Sequence, residues 1–381
     1  MAKTAKIDVK EQNLLISLQG FFKALLVDGG VEAVLVPQHL PMKNSVMPTL
    51  VTDPERIDGV DPLAPVFPMN AAKIVSKLTR RPLDGHIAVV LRPCEIRAFI
   101  ELVKLKQGRT DEVVLISMDC YGAYGNVDYG RFAGDDGVDA SLRFYENIIS
   151  GKGTAWEDID ISPACKACDQ PVSENADLQI GTLGVDTKDQ LLLKALTFSG
   201  ETLLEKLDLP ETPEPETRKT AIETLVSDRI AYRDKIFDET SEATADLNKL
   251  TTYLGSCINC YNCRVACPVC YCKECVFSTD VFDHEPTQYL NWAKRKGIIK
   301  MPTDTVFYHI TRLAHMSTSC IGCGQCSNAC PNDIPVMEIF RTVANYTQKA
   351  FDYQAGRSLD DELPLSVFRE KELSELTGGK D

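Results

Sequence analysis

Two copies of one cysteine pattern, C-x2-C-x2-C-x3-C-P, constrain this chain more than any other feature. The first reads Cys257-Ile-Asn-Cys260-Tyr-Asn-Cys263-Arg-Val-Ala-Cys267-Pro268 and the second Cys320-Ile-Gly-Cys323-Gly-Gln-Cys326-Ser-Asn-Ala-Cys330-Pro331. Three thiolates, each separated from the next by two residues, wrap one face of a cubane 4Fe-4S cluster, while the fourth, at the start of the next helix, reaches the neighbouring cluster. The spacing therefore predicts two clusters with exchanged fourth ligands: Cys257, Cys260 and Cys263 with Cys330, and Cys320, Cys323 and Cys326 with Cys267. Gly322 and Gly324 let the backbone approach the sulfur and aim N–H groups at it. A pair of zinc sites is the alternative that C-x2-C leaves open, but two full copies ending in proline are far more specific to clusters.

The chain holds 15 cysteines. Its start, Met1-Ala-Lys-Thr-Ala-Lys-Ile-Asp, has no signal-peptide core, and no apolar run approaches the roughly 18 residues that span a bilayer. A cytoplasmic chain without membrane insertion is expected. Thiols there stay reduced, so metal rather than disulfide is the natural use of the cysteines. They fall into two groups, 11 between Cys257 and Cys330 and four between Cys94 and Cys168, which suggests two metal-bearing units. The formal charge of -14 argues against nucleic acid as a partner.

A length of 381 residues allows at least two cores. Leu14 to Val36 reads as a helix followed, after Asp28-Gly-Gly, by a strand over Val31 to Val36. Ile87-Ala-Val-Val-Leu and Val113-Val-Leu-Ile-Ser read as short buried strands, with an amphipathic helix from Glu95 to Lys106 between them. Alternating strands and helices predict an α/β domain with a largely parallel sheet, and Cys94 and Cys120, at strand ends, share its ligand-binding edge. Pro210-Glu-Thr-Pro-Glu-Pro-Glu-Thr has the composition of an exposed, semi-rigid linker. The expected division is an α/β domain over residues 1–208, a linker and helical connector over 209–250, a mainly α-helical dicluster ferredoxin domain over 251–353, and a polar tail over 354–381 lying at the surface or on a partner.

Cys270, Cys272 and Cys275 are not needed by the two clusters. With a fourth ligand from Asp280, Asp283, His284 or a partner they suit a further cluster; zinc binding or free thiols are the alternatives. Two strand-end thiols, Cys94 and Cys120, with the C-x2-C of Cys165 and Cys168, supply the four ligands of another cubane, unless Cys94 and Cys120 are simply small core residues. The five histidines show no H-x3-H or triad-like grouping and read mostly as surface or core residues.

The flanks of the second motif resemble the helical dicluster ferredoxins of heterodisulfide reductase and succinate dehydrogenase iron-sulfur subunits. In the first half, Arg92-Pro-Cys94-Glu-Ile-Arg97-Ala-Phe, Ile116-Ser-Met-Asp-Cys120, Cys165-Lys-Ala-Cys168 and Ala176-Asp177-Leu-Gln-Ile-Gly181-Thr-Leu-Gly184 resemble, in order and spacing, the signatures of the coenzyme F420 hydrogenase/dehydrogenase beta-subunit family. The similarity spans roughly residues 14–205, and the joined dicluster segment is similar to formate dehydrogenase beta subunits. The resemblance implies an N-terminal domain holding FAD and a 4Fe-4S cluster on Cys94, Cys120, Cys165 and Cys168. Arg92, Arg97, Asp177, Gly181 and Gly184 would contact flavin or phosphate; a plain turn at the glycines and surface ion pairing of the arginines are the bland alternatives. Ser17-Leu18-Gln19-Gly20 departs from the family's serine-glycine-glycine step.

The resemblance and the cysteine motifs together imply an oxidoreductase subunit that carries electrons between a soluble hydride carrier and a catalytic partner chain, through FAD and three or four clusters. No catalytic residue is assigned. A flavin adaptor joining NAD(P)H or ferredoxin to a heterodisulfide reductase-like complex, and a flavin-free relay, are the rival readings. Exposed clusters would also make the protein oxygen-sensitive, suited to anaerobic conditions.

Overall fold

The computed structural model describes residues 3–41, 45–282, 285–296 and 304–367. They fall into two compact units. One contains the chain up to Asp234 with Ile321–Gly324 and Gly356–Asp361, and the other contains Lys235–Cys320, Gln325–Ala355 and the residues from Glu362 on.

The first unit is built from β1 (Thr4–Asp8), α1 (Leu14–Val27), β2 (Ala33–His39), β3 (Val46–Val51), α2 (Ala72–Leu78), β4 (Ile87–Leu91), α3 (Pro93–Lys104), β5 (Val113–Met118), α4 (Asn126–Ala133), α5 (Val138–Ile149), α6 (Pro163–Lys166), β6 (Leu178–Gly181), β7 (Gln190–Ala195), α7 (Phe198–Lys206) and the start of α8 (Glu216–Ala243). One sheet takes the order β1-β7-β6-β5-β4-β2-β3. Its centre, β2, β4, β5 and β6, is parallel, and β3, β7 and β1 are antiparallel additions at the two edges. Every residue of β4 and β5 is buried, which is why these strands read as unbroken apolar runs; helices cover both faces of a parallel centre. The edge strand β1, Thr-Ala-Lys-Ile-Asp, alternates in burial and carries a far weaker signal.

Local chemistry sets the helix starts. The Asn13 carboxamide oxygen accepts from the N–H groups of Leu15 and Ile16, which caps α1. Ser17 lies inside this helix, its hydroxyl donating to the Asn13 carbonyl. Pro93 opens α3, and the Glu95 carboxylate reaches back 2.9 Å to the Arg92 N–H. The central elements thus match the sequence expectation apart from shifts of a few residues at their ends.

The proline-rich stretch is largely exposed, as expected of a linker, but it is also paired with the sheet edge. Lys6 donates its N–H to the Pro210 carbonyl at 2.9 Å, and Thr212 donates to the Thr4 carbonyl at 3.2 Å, so the segment extends the β1 edge of the sheet. Proline at an edge is compatible with this because its missing donor is not needed there. The expected connector helices form as α8 and α9 (Leu247–Tyr253), the latter capped by Asp246. The start of the expected polar tail is likewise tied down: Gly356 donates its N–H to Glu101 at 2.8 Å, and Asn175 donates to the Arg357 carbonyl at 2.7 Å. Residues 368–381 of that tail lie outside the described residues.

The second unit is helical: the rest of α8, α9, then α10 (Asn262–Ala266), α11 (Pro286–Lys296), α12 (Asp304–Met316), α13 (Gln325–Asn328) and α14 (Val336–Ala350). Helix α14 buries Val336, Met337, Phe340 and Ala344, a stripe at helical spacing, and packs against α12 and α13. The short helices α10 and α13, one from each cysteine motif, pack against each other. Both motifs repeat the same backbone: φ is +54° at Asn259 and +71° at Gly322, then +59° at Tyr261 and +79° at Gly324. Equivalent positions thus enter the left-handed region in each copy, at a cost for Asn and Tyr that glycine escapes.

Candidate iron-sulfur centres

The C-terminal ends of β4 and β5 deliver Cys94, in the first turn of α3, and Cys120, just past the strand. Helix α6, started by Pro163 and capped by the Ser162 hydroxyl, delivers Cys165, and Cys168 follows it. All four thiols are half-buried. Cys94 lies within the electrostatic reach of Cys120 and Cys168, and Cys120 within that of Cys165 and Cys168; Cys94 also feels Cys323, which belongs to the same unit. Burial pushes the Cys120 thiol up to about 11 and holds Cys94 well above its ordinary value, with Arg92 acting in the opposite sense on Cys120. Thiols of this kind are protonated without metal, so binding iron releases their protons.

Two arginines face this set. Arg92 donates to the Ala64 carbonyl at 2.8 Å, lies over the Phe67 ring, and has Cys120, Cys94 and Cys165 among its charged neighbours. Arg229, from α8, donates to the carbonyls of Cys120 and Tyr121 at 3.2 and 2.8 Å. The residue before Cys120 anchors the strand end: Asp119 accepts from Arg218 at 2.5 and 3.0 Å and from the N–H groups of Thr182 and Leu183 at 2.8 and 2.9 Å.

In the second unit, Cys257, Cys260, Cys263 and Cys330 line one open cleft, together with Tyr308, His309, Ile334 and Val336. Cys330, from the second motif, is thereby brought to the three leading cysteines of the first. Helix α12 supplies the other wall. Tyr308 Oη and His309 Nε2 each lie 3.4 Å from a sulfur, Cys263 and Cys257 respectively, and Arg312 Nη1 donates to Cys263 Sγ at 3.1 Å. Burial, aided by Arg312, pushes His309 down to about 4, so its ring is neutral at ordinary pH. The sequence alone marks His309 as a plain surface or core residue and does not single out Tyr308 or Arg312. The available signal is their spacing on one apolar-faced helix leading into the second motif. His39 is equally silent in the sequence, yet its Nε2 lies 2.8 Å from the buried Asp61 carboxylate, itself bonded by Ser141 at 2.6 Å.

The donor sets suit iron-sulfur cubanes: four thiols each, backbone N–H groups, and cations placed against sulfur. Among the described residues no three His, Cys, Asp or Glu side chains close on a single ion.

Cys270, Cys272 and Cys275 sit on the loop after α10, Cys270 and Cys275 half-buried and Cys272 exposed. Asp280 begins a short 3-10 turn, Asp280–Phe282, whereas Asp283 and His284 lie outside the described residues.

Four of the five residues that the resemblance assigns to flavin make packing or hydrogen-bond contacts within the protein. Asp177 accepts from the Leu115 N–H and the Thr197 hydroxyl, bracing β5 against the start of α7. A Cβ at Gly181 would lie 3.0 Å from the Arg218 guanidinium carbon, and one at Gly184 would lie 2.5 Å from Arg218 Cα, so these glycines admit α8. Arg97 is buried, donates to the Ile321 carbonyl at 3.4 Å, and has Gly356 packed on its backbone. Of the five, only Arg92 stands at the cysteine set. Gly184 has φ +66°, so Gly184→Ala is expected to lose about 1–3 kcal/mol from backbone strain alone and more from the clash. Gly134→Ala, at φ +53° with open space around it, is the control that isolates the strain; thermal unfolding of the two variants compares them.

Thiols gathered at the edge of a parallel sheet, followed by a duplicated cysteine motif in a helical unit, define an electron-transferring oxidoreductase subunit. A family model for a 4Fe-4S binding domain matches residues 315–336. The chain is 26% identical to the F420-dependent formate dehydrogenase subunit beta of Methanocaldococcus jannaschii, over 91% of this chain and 93% of that protein. It is 27% identical to the F420-dependent formate dehydrogenase 1 subunit beta of Methanococcus maripaludis, over 92% of each. A chain of the F420-reducing NiFe hydrogenase complex from Methanosarcina barkeri superposes with a TM-score of 0.44 and 13% identity, covering 65% of this chain and 93% of that one. The similarity to the two F420-dependent formate dehydrogenase beta subunits extends along nearly the whole chain. Among the described residues no helix is long and apolar enough to cross a membrane.

Proposed function

We propose that this chain is the beta subunit of a formate dehydrogenase-like complex and conducts electrons between a soluble hydride carrier, coenzyme F420 or a related molecule, and a catalytic partner subunit. The observation that carries the reading is the convergence of two cysteine sets on two differently built sites: Cys94, Cys120, Cys165 and Cys168 at the sheet edge, and Cys257, Cys260, Cys263 and Cys330 in the helical cleft. Cys320, Cys323, Cys326 and Cys267 are the ligands of a third cluster in the same proposal. Full-length similarity to beta subunits whose names specify F420 and formate supports the choice of carrier and reaction. Formate chemistry itself is assigned to the partner.

A hydride delivers two electrons together and a cluster accepts one, so an FAD able to hold either number belongs between them. Its contacts would lie outside Asp177, Gly181, Gly184 and Arg97. The commitment of those four residues to packing favours, as a second reading, a flavin-free relay in which the hydride step takes place on another chain.

Analysis of anaerobically purified protein for iron, acid-labile sulfide, zinc and flavin separates the readings. About twelve irons and one FAD per chain, with bleaching of the visible absorbance by reduced F420, are expected for the first. About twelve irons without flavin, and no response to reduced F420, would establish the second, whereas stoichiometric zinc in place of iron would overturn both.

A further inference from the structure

Arg312 is 4% exposed, its guanidinium lying between the rings of Tyr308 and Phe340 at 5.5 and 4.6 Å. Nη1 donates to Cys263 Sγ at 3.1 Å and Nη2 to the Cys263 carbonyl at 3.2 Å, while Nε, also buried, has no hydrogen-bond partner among the described residues. The electrostatic neighbours of Arg312 are Cys263, Tyr308, Cys267 and Cys326. A guanidinium taken this far out of water is strongly unfavourable unless an anion compensates it. Here the groups around it are thiols from both cysteine motifs and the Tyr308 hydroxyl.

We propose that Arg312 is a positioning residue whose charge is shared by the two clusters of the helical unit, bonded to the one held by Cys263 and facing the one held by Cys267 and Cys326. The inference rests on the cluster assignment above. Adding an electron to a cluster adds negative charge, and a fixed cation beside it stabilises the reduced form and raises its potential; hydrogen bonds to the sulfurs act in the same sense. One cation acting on both clusters raises both potentials together, which sets the level at which the pair accepts electrons without changing the step between them.

The test is an anaerobic redox titration of the full holoprotein followed by electron paramagnetic resonance, with Arg312→Gln and Arg312→Lys beside the parent. Arg312→Gln keeps an N–H donor and removes the charge. It is expected to lower two midpoints, each by about a tenfold change in the reduced-to-oxidised ratio, or roughly 59 mV for one electron, and to leave the third unmoved. Arg312→Lys, which retains the charge, should keep both near the parent values. Two unmoved midpoints in an Arg312→Gln protein with full iron, or the shift of only one, would overturn the proposal. If Arg312→Gln loses its iron, Arg312→Lys decides: full iron with parent-like midpoints supports a charge role, and iron lost there too would make Arg312 a scaffold only. A parent protein without clusters would instead defeat the cluster assignment itself.

Discussion

Cys330→Ala is expected to lower the iron content of the anaerobic protein by about four atoms, and the lost cluster should be the one held by Cys257, Cys260 and Cys263, although Cys330 belongs to the other motif. The cleft that gathers these four residues is the reason. Cys267→Ala should remove the other ferredoxin-like cluster by the same logic. Iron analysis gives the count. Resonance of the remaining reduced clusters gives the identity, because the double variant Cys263→Ala/Cys330→Ala should lose no more iron than either single change. Loss of about eight irons in that double variant would show that each motif holds its own fourth ligand and that the ends are not exchanged.

The largest stability effect is expected at Arg218. Its side chain is 1% exposed and its partner Asp119 is 0% exposed, and besides the bidentate pair Arg218 donates to the Leu183 carbonyl at 3.0 Å and to Gln179 Oε1 at 3.1 Å. Arg218→Met leaves the Asp119 carboxylate buried without its counter-charge, and such a break costs about 3–5 kcal/mol. Urea unfolding followed on the first unit should show a lower midpoint, with the extrapolated unfolding free energy reduced by about that amount. Because Asp119 precedes Cys120, the variant should also weaken retention of the sheet-edge cluster while the helical clusters stay in place. Arg218→Met combined with Asp119→Leu should recover part of the loss, since the unpaired charge is then gone. If Arg218→Met unfolded at the parent midpoint, the pair would be a bystander to the stability of this unit.

Much of the fold is legible in the sequence, and the legible parts share a physical cause. β4 and β5 are buried on both faces, so their sequences are plain apolar runs, and Pro93 and Glu95 mark the start of α3 in the code that backbone donors impose on any helix. The cysteine motifs are legible because a cubane accepts few spacings. The proline-rich segment is exposed as its composition suggests, but composition reports what a stretch is able to do alone, and its pairing with β1 depends on a strand some 200 residues earlier. At Gly181 and Gly184 a glycine announces a close approach, and the group that approaches in the structure is Arg218 on a later helix, which no local pattern names.

The sequence by itself determined the donor chemistry of the centres, because thiol type and spacing are local properties, and it determined the parallel centre of the sheet, because burial on both faces leaves its mark residue by residue. Tertiary structure decided which cysteines gather around Cys330, which cation touches which sulfur, and that Asp119 is tied to Arg218. Those facts turn on contacts between residues tens to a hundred positions apart, and no local pattern encodes them.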